Sequence, residues 1–160
     1  MKKLVSAVVI LVLFLSSLTY GLDTTLLDMR NKVFQEAQEI KILFENSKDV
    51  ILLNSLLDSC IMLVNQLDAY FYMVGIFNEM KKGDVTDASV DYLMRWLDTI
   101  KKTNDLNIKS LASVNAKTLE NKSKVHLERL KGQFIELNQK IDVDLKKISA
   151  LKKSQKPKKI

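Results

Sequence analysis

Between Val50 and Phe77 the chain reads VILLNSLLDSCIMLVNQLDAYFYMVGIF, with no proline, one glycine and two charges, Asp58 and Asp68. A run of about 20 such residues is long enough to cross a bilayer, so its polar positions decide how it folds. Wound at about 100° per residue, Asn54, Asp58, Asn65, Asp68 and Tyr72 fall on one side. Ser55, Ser59 and Gln66 widen that polar arc. The opposite arc holds Leu53, Leu56, Leu57, Cys60, Val64, Leu67, Phe71 and Val74. Spanning lipid would bury two aspartates at a cost on the order of several kcal/mol each. The pattern predicts an amphipathic central helix covered by other helices.

Ile61, Met62, Met73 and Ile76 lie on the polar side of this wheel. Either neighbouring helices touch the central helix around most of its girth, or these residues form a second apolar surface. Such a surface would receive a partner chain or an apolar ligand.

Only four glycines and one proline punctuate 160 residues. Few turns can be built from so little, so the elements are few and long, which points to helices. The sequence predicts an all-α fold: an antiparallel four-helix bundle, or helical hairpins, with a long C-terminal helix. Residues 22–151 form that domain and residues 152–160 a basic disordered tail.

Ahead of the domain, Lys2 and Lys3 precede an apolar run, Leu4–Leu15, and Thr19-Tyr20-Gly21 supplies small residues at −3 and −1. This is the layout of a secretory signal peptide with cleavage after Gly21, the alternative being a retained anchor. The expected location is secreted or periplasmic. The single cysteine, Cys60, lies in the apolar arc, so a buried thiol is expected rather than a disulfide-linked dimer.

Along the mature chain, a first helix is expected over Thr25–Glu45, capped by Thr25, with Leu26, Met29, Val33, Ala37, Ile40 and Phe44 as its stripe. Asn46-Ser47 is the break before the central helix, with Ser47 as cap. Lys81-Lys82-Gly83 ends it. A third helix begins at a Thr86 or Asp84 cap and runs to about Lys102, presenting Val90, Leu93, Met94, Leu97 and Ile100, with Trp96 at the stripe's edge. Thr103-Asn104-Asp105 reads as the next turn. Beyond it lies no strong breaker before Pro157, and Ile108–Leu119 reads either as part of the last helix or as a short element.

From Leu127 a three/four spacing sharpens through Leu130, Phe134, Leu137, Ile141, Leu145, Ile148 and Leu151. It suits a seam within one chain or a coiled coil between chains. Glu120–Lys124, Glu136–Lys140 and Asp142–Lys146 are opposite charges four apart on this helix.

The chemistry is mostly exclusion. One histidine, His126, and one cysteine cannot supply the N/S ligands of a zinc site. Residue 123 is serine, so no Glu-x-x-His pair of a di-iron bundle exists. No G-x-S-x-G elbow or glycine-rich phosphate loop occurs. Asp84, Asp87 and Asp91 miss the calcium-loop spacing and read as helix-start carboxylates. Asn121-Lys122-Ser123 is a glycosylation sequon, meaningful only in a eukaryotic secretory route. His126 is expected at the surface beside the stripe. No cofactor, metal or catalytic residue is expected, and the chain is not read as an enzyme.

Charge is placed unevenly. Residues 22–145 hold 16 Lys and Arg and 19 Asp and Glu, a net of −3, whereas residues 146–160 hold seven lysines and no acid. Those lysines (Lys146, Lys147, Lys152, Lys153, Lys156, Lys158 and Lys159) attract polyanions without reading a nucleic-acid sequence. The leading functional expectation is non-catalytic binding, to a protein partner or a second copy, through Ile61, Met62, Met73 and Ile76. The alternatives are a carrier of an apolar small molecule or lipid, and tethering to an anionic lipid or glycan surface through the lysines.

Overall fold

The computed structural model describes residues 24–80 and 86–154, with side chains up to Leu151. Among them the chain is all-α: helix α1 spans Thr24–Leu43, α2 Val50–Met80, α3 Asp87–Ala112 and α4 Asn121–Ser154, with a short 3₁₀ turn at Ala116–Thr118 and no strand. The expected signal segment, the expected stop at Lys81-Lys82-Gly83, the alternative cap Asp84 and the residues beyond Ser154 lie outside the described residues.

The helices bury the stripes their sequences carry. α1 turns Leu26, Met29, Val33 and Ile40 inward, and α3 turns Val90, Leu93, Leu97 and Ile100 inward. α4 buries Leu127, Leu130, Phe134, Leu137, Ile141 and Ile148. This C-terminal stripe therefore packs against the chain's own helices: α4 contacts α1, α2 and α3. α2 buries Leu53, Leu56, Cys60, Leu63, Leu67, Tyr70 and Phe77. Its inward face is rotated from the expected arc toward Leu63, Tyr70 and Phe77, leaving Leu57, Val64, Phe71 and Val74 only partly covered. The rotation lets the Tyr70 hydroxyl donate to Asp144 Oδ2 at 2.6 Å while its ring is buried. A buried tyrosine needs such a partner for its O–H.

Several expected boundaries move. Thr25 is inside α1, not its cap, and its hydroxyl accepts from Lys140 Nζ at 3.2 Å. α1 ends at Leu43 and not Glu45. Ser47 does not cap α2, because the residue before Val50 is Asp49, whose carbonyl accepts from Leu53 N. Ser47 Oγ instead accepts from Asp49 N. Thr86 caps α3 as one expectation had it: Ser89 N donates to its Oγ1 while Thr86 N donates to Ser89 Oγ. That reciprocal box satisfies two of the donors every helix start leaves open.

The expected turn at Thr103-Asn104-Asp105 is helix, and α3 continues past Lys102 to Ala112. No glycine or proline enforces a stop there, and Asn104 and Asp105 have a cross-helix partner on α4. Thr103 Oγ1 donates to Thr99 O, Asn104 Nδ2 donates to Asn138 Oδ1, and Asp105 Oδ1 accepts from Asn138 Nδ2. With the bonds to Asn138 made, Asn104 and Asp105 are not drawn to the local backbone, and the Thr103 bond to the carbonyl four residues earlier is one a helix tolerates. The break falls instead between Ser113 and Glu120, in a stretch without the strong breakers the sequence lacks. Ile108–Leu119 is therefore divided between the end of α3 and the 3₁₀ connection.

The three ion pairs expected four residues apart on the last helix are replaced by longer reaches. Asp142 accepts from Lys101 Nζ at 2.5 Å, Lys140 turns to Thr25, and Glu120 turns to the α1–α2 loop. In that loop Ser47 Oγ donates to Glu120 Oε2 at 2.8 Å and Lys48 N to Glu120 Oε1 at 3.4 Å. In return Glu120 N donates to Asp49 Oδ2 at 2.9 Å. The residues immediately before α2 and α4 thus serve each other's helix starts.

Candidate functional site

Two arrangements depart from what a plain helical core requires. The first is buried. His126 is not at the surface: it is 7% exposed and faces Glu36 of α1, which is 4% exposed. His126 Nδ1 stands 2.5 Å from Glu36 Oε1. A carboxylate only accepts, so Nδ1 carries the proton between them. Arg129, one turn along α4, bonds Glu39 Oε2 at 2.9 Å and approaches Glu36 Oε2 at 3.6 Å. Surface placement fails for a simple reason. His126 sits next to Leu127 and four residues before Leu130, and α1 covers that flank of α4.

One donor atom each from Glu36, Glu39 and His126 lies within 4.8 Å of the others, the reach of a small cation. The Arg129 guanidinium, bonded to Glu39 and close to Glu36, already supplies the positive charge there, so the geometry is that of an interhelix ion-pair network. Cys60 of α2 is nearby: burial first, and the Glu36 charge second, push its thiol up to about 12. It is 2% exposed and free, an inert thiol in the core. Ser123 is also fully buried, and its hydroxyl lacks a protein partner. It is the third residue of the sequon, whose Asn121 is exposed at the first turn of α4.

The second arrangement is exposed. Ile61 is 62% exposed, and Met62 and Ile76 are also open, so three of the four singled-out residues stand on the outer side of α2. Met73 does not join them fully, because it packs partly on the core. Tyr72, expected among the polar residues, is 70% exposed on the same side. Beside them on α1, Leu27 and Phe34 are exposed too, and the sequence reading missed both. Their signal was present as apolar residues off the Leu26–Met29–Val33 stripe, separated by seven positions. Arg30 links the two helices: its Nε donates to Asp68 Oδ1 at 2.9 Å, and its guanidinium carbon lies 5.0 Å from the centre of the Phe34 ring. The cation lies within the range at which ring and guanidinium attract.

The lysines are less gathered. Lys146 and Lys147 are exposed near the end of α4, but Lys147 Nζ already bonds Asp144 at 2.8 Å. Lys152 and Lys153 fall within the last turn of α4, and Lys156, Lys158 and Lys159 lie outside the described residues. On α3, Trp96 is exposed and meets Tyr92 edge to face, with ring centres 6.3 Å apart. Compared with known protein families, with curated proteins and with solved structures, the chain matches none.

Proposed function

We propose that the chain is an exported, non-catalytic antiparallel four-helix bundle that acts by binding protein through the outer side of α2. Export rests on the N-terminal layout of Lys2, Lys3 and the apolar run to Leu15. Cross-helix bonds favour the antiparallel arrangement. Lys101 meets Asp142 and Asn104 meets Asn138, so numbers fall along α4 as they rise along α3. Likewise Thr25 meets Lys140 and Glu36 meets His126 between α1 and α4. Neighbouring helices of opposite direction, joined by short links, are the geometry of a bundle.

The observation that carries the binding role is the exposure of Ile61, Met62, Ile76 and Tyr72 on a helix whose inner side already fills the core. None of them belongs to the buried core, Ile61 and Tyr72 are mostly open to solvent, and aromatic residues and methionine are what interface centres favour. The cluster at His126 pairs a buried imidazole and carboxylate with the half-exposed Arg129 and Glu39, an arrangement that suits helix alignment.

The test is a photo-crosslinking residue at Ile61 in the chain produced by its own host. Recovery of one defined adduct, abolished by Met62→Ser with Ile76→Ser, is the expected result. Full retention of every association in that double variant would sink the assignment.

A further inference from the structure

The α1–α2 and α3–α4 connections lie side by side at one end of the molecule, joined by the bonds between Ser47, Lys48, Asp49 and Glu120. Two isoleucines stand open there. Ile42, in the last turn of α1, is 73% exposed. Ile51, the second residue of α2, is 88% exposed, the most open large apolar side chain among the described residues. Val50 beside it is also exposed. Leu43, Phe44, Val114 and Leu119 pack on the core, so both connections are anchored without the isoleucines.

The charge of this end is one-sided. Residues 41–51 and 109–125 carry six lysines (Lys41, Lys48, Lys109, Lys117, Lys122 and Lys124), no arginine and three acids, a net of +3. Lys124 is partly exposed and the other five are fully so. Among the described residues none of the six joins an ion pair; the pairs lie further along the helices. Two of the three acids, Asp49 and Glu120, accept the bonds that join the connections, and Glu45 is the third. α4 starts at this end and carries Lys146 and Lys147 away to its far end, so these six lysines are a separate group from those of the C-terminus.

Open aliphatic side chains among unpaired lysines match an anionic bilayer. Each lysine brought to such a surface strengthens binding about fivefold, and an aliphatic side chain gains by entering the boundary between headgroups and acyl chains. The long lysine stem lets the ammonium stay among the headgroups while the isoleucines sit deeper. An acidic protein fits less well. Protein interface centres are poor in lysine and rich in arginine and aromatic rings, and the one ring here, Phe44, packs on the core. A nucleic acid would set the isoleucines against phosphate and sugar, with no arginine or stacking ring to hold a base. We infer that this end of the molecule docks on membranes rich in anionic lipid, with Ile42 and Ile51 entering the interface and the six lysines holding the headgroups. The site is separate from the outer side of α2 and does not depend on the protein-binding role given above.

The experiment is a fluorescence titration of the full chain as recovered from its expressing cell, carrying Ile51→Trp with Trp96→Phe. Trp96 is the chain's single tryptophan, so the emission then reports this end alone. Vesicles of phosphatidylglycerol and phosphatidylcholine in equal parts should shift that emission to the blue, and acyl-brominated lipid should quench it; phosphatidylcholine alone should do neither. Lys117→Gln with Lys122→Gln should weaken the partition about 25-fold at low salt. Ile42→Ser should weaken it about tenfold. Helix content by circular dichroism should be unchanged in both, because these side chains are exposed. An unshifted emission on anionic vesicles overturns the inference, even where the chain sediments with them, because another part then carries the binding. A shift indifferent to both the lysine pair and Ile42→Ser overturns it as well. So does lysine-dependent binding to a DNA duplex in place of the vesicles, which would assign a polyanion and not a bilayer.

Discussion

Two polar layers interrupt the packed face of α4, and they are built from different chemistry. Toward its start, His126 meets Glu36 of α1 with Arg129 and Glu39 completing a charged network. One helix-half further on, Asn138 meets Asn104 and Asp105 of α3, where two of the three members are neutral amides. The charged layer holds α1 in register and the amide layer holds α3. In both, a polar group taken from water is matched by a specific partner on one other helix, so sliding by a turn would strand it. The difference lies in what is lost when a partner is removed. A stranded buried charge costs far more than a stranded amide.

That contrast sets the order of expected effects. His126→Ala leaves the buried Glu36 carboxylate without its hydrogen bond and should cost about 3–5 kcal/mol, measured by urea unfolding. The paired change Glu36→Met with His126→Leu should recover most of that loss, because well-packed apolar pairs replace buried ion pairs at little cost. If the double variant is no better than the single one, the layer is not the coupled unit described. Asn138→Ala orphans the amide of Asn104, which is fully buried, and should cost about 1–3 kcal/mol. A loss equal to that of His126→Ala would erase the distinction between the layers.

Cys60 extends the charged layer into α2. Its thiol is held up to about 12 from an ordinary 9.0, by burial first and Glu36 second. Above pH 9 the unfolded chain releases that proton while the folded chain keeps it, so stability falls as pH rises from about 9 toward 12. The slope from this one group is at most about 1.4 kcal/mol per pH unit. Cys60→Ala should remove that component of alkaline unfolding, and an unchanged alkaline slope would show the thiol to be already ionised when folded. The smallest effect belongs to Lys101→Met. The ammonium bonds Asp142 and its proton is held more tightly for that reason. Yet the pair is open to water, so the expected cost is under about 1 kcal/mol by thermal denaturation.

Most helix stripes were legible because apolar spacing at three and four survives any detail of packing. Leu127 to Ile148 on α4 and Val90 to Ile100 on α3 needed nothing more. The polar layers were not legible, since a lone His126 or Asn104 says nothing of which helix lies opposite it. Asn104 was misread as a turn for the same reason: its amide favours turns until a cross-helix partner takes it. Glu36, three residues after Val33 and four before Ile40, shares their side of α1, but that spacing alone does not name the His126 it meets. The exposed residues of α2 were visible as surplus apolar positions. Their companions Leu27 and Phe34 became visible only once Arg30 was seen to join α1 to Asp68.

The exchange between Ser47, Asp49 and Glu120 ties together two loops more than 70 residues apart in sequence. Each fixes the residues that lead into the other helix, so the approach to α2 and the approach to α4 loosen together. The amide protons of Lys48 and Glu120 should therefore exchange with solvent at a common rate, as a single opening event.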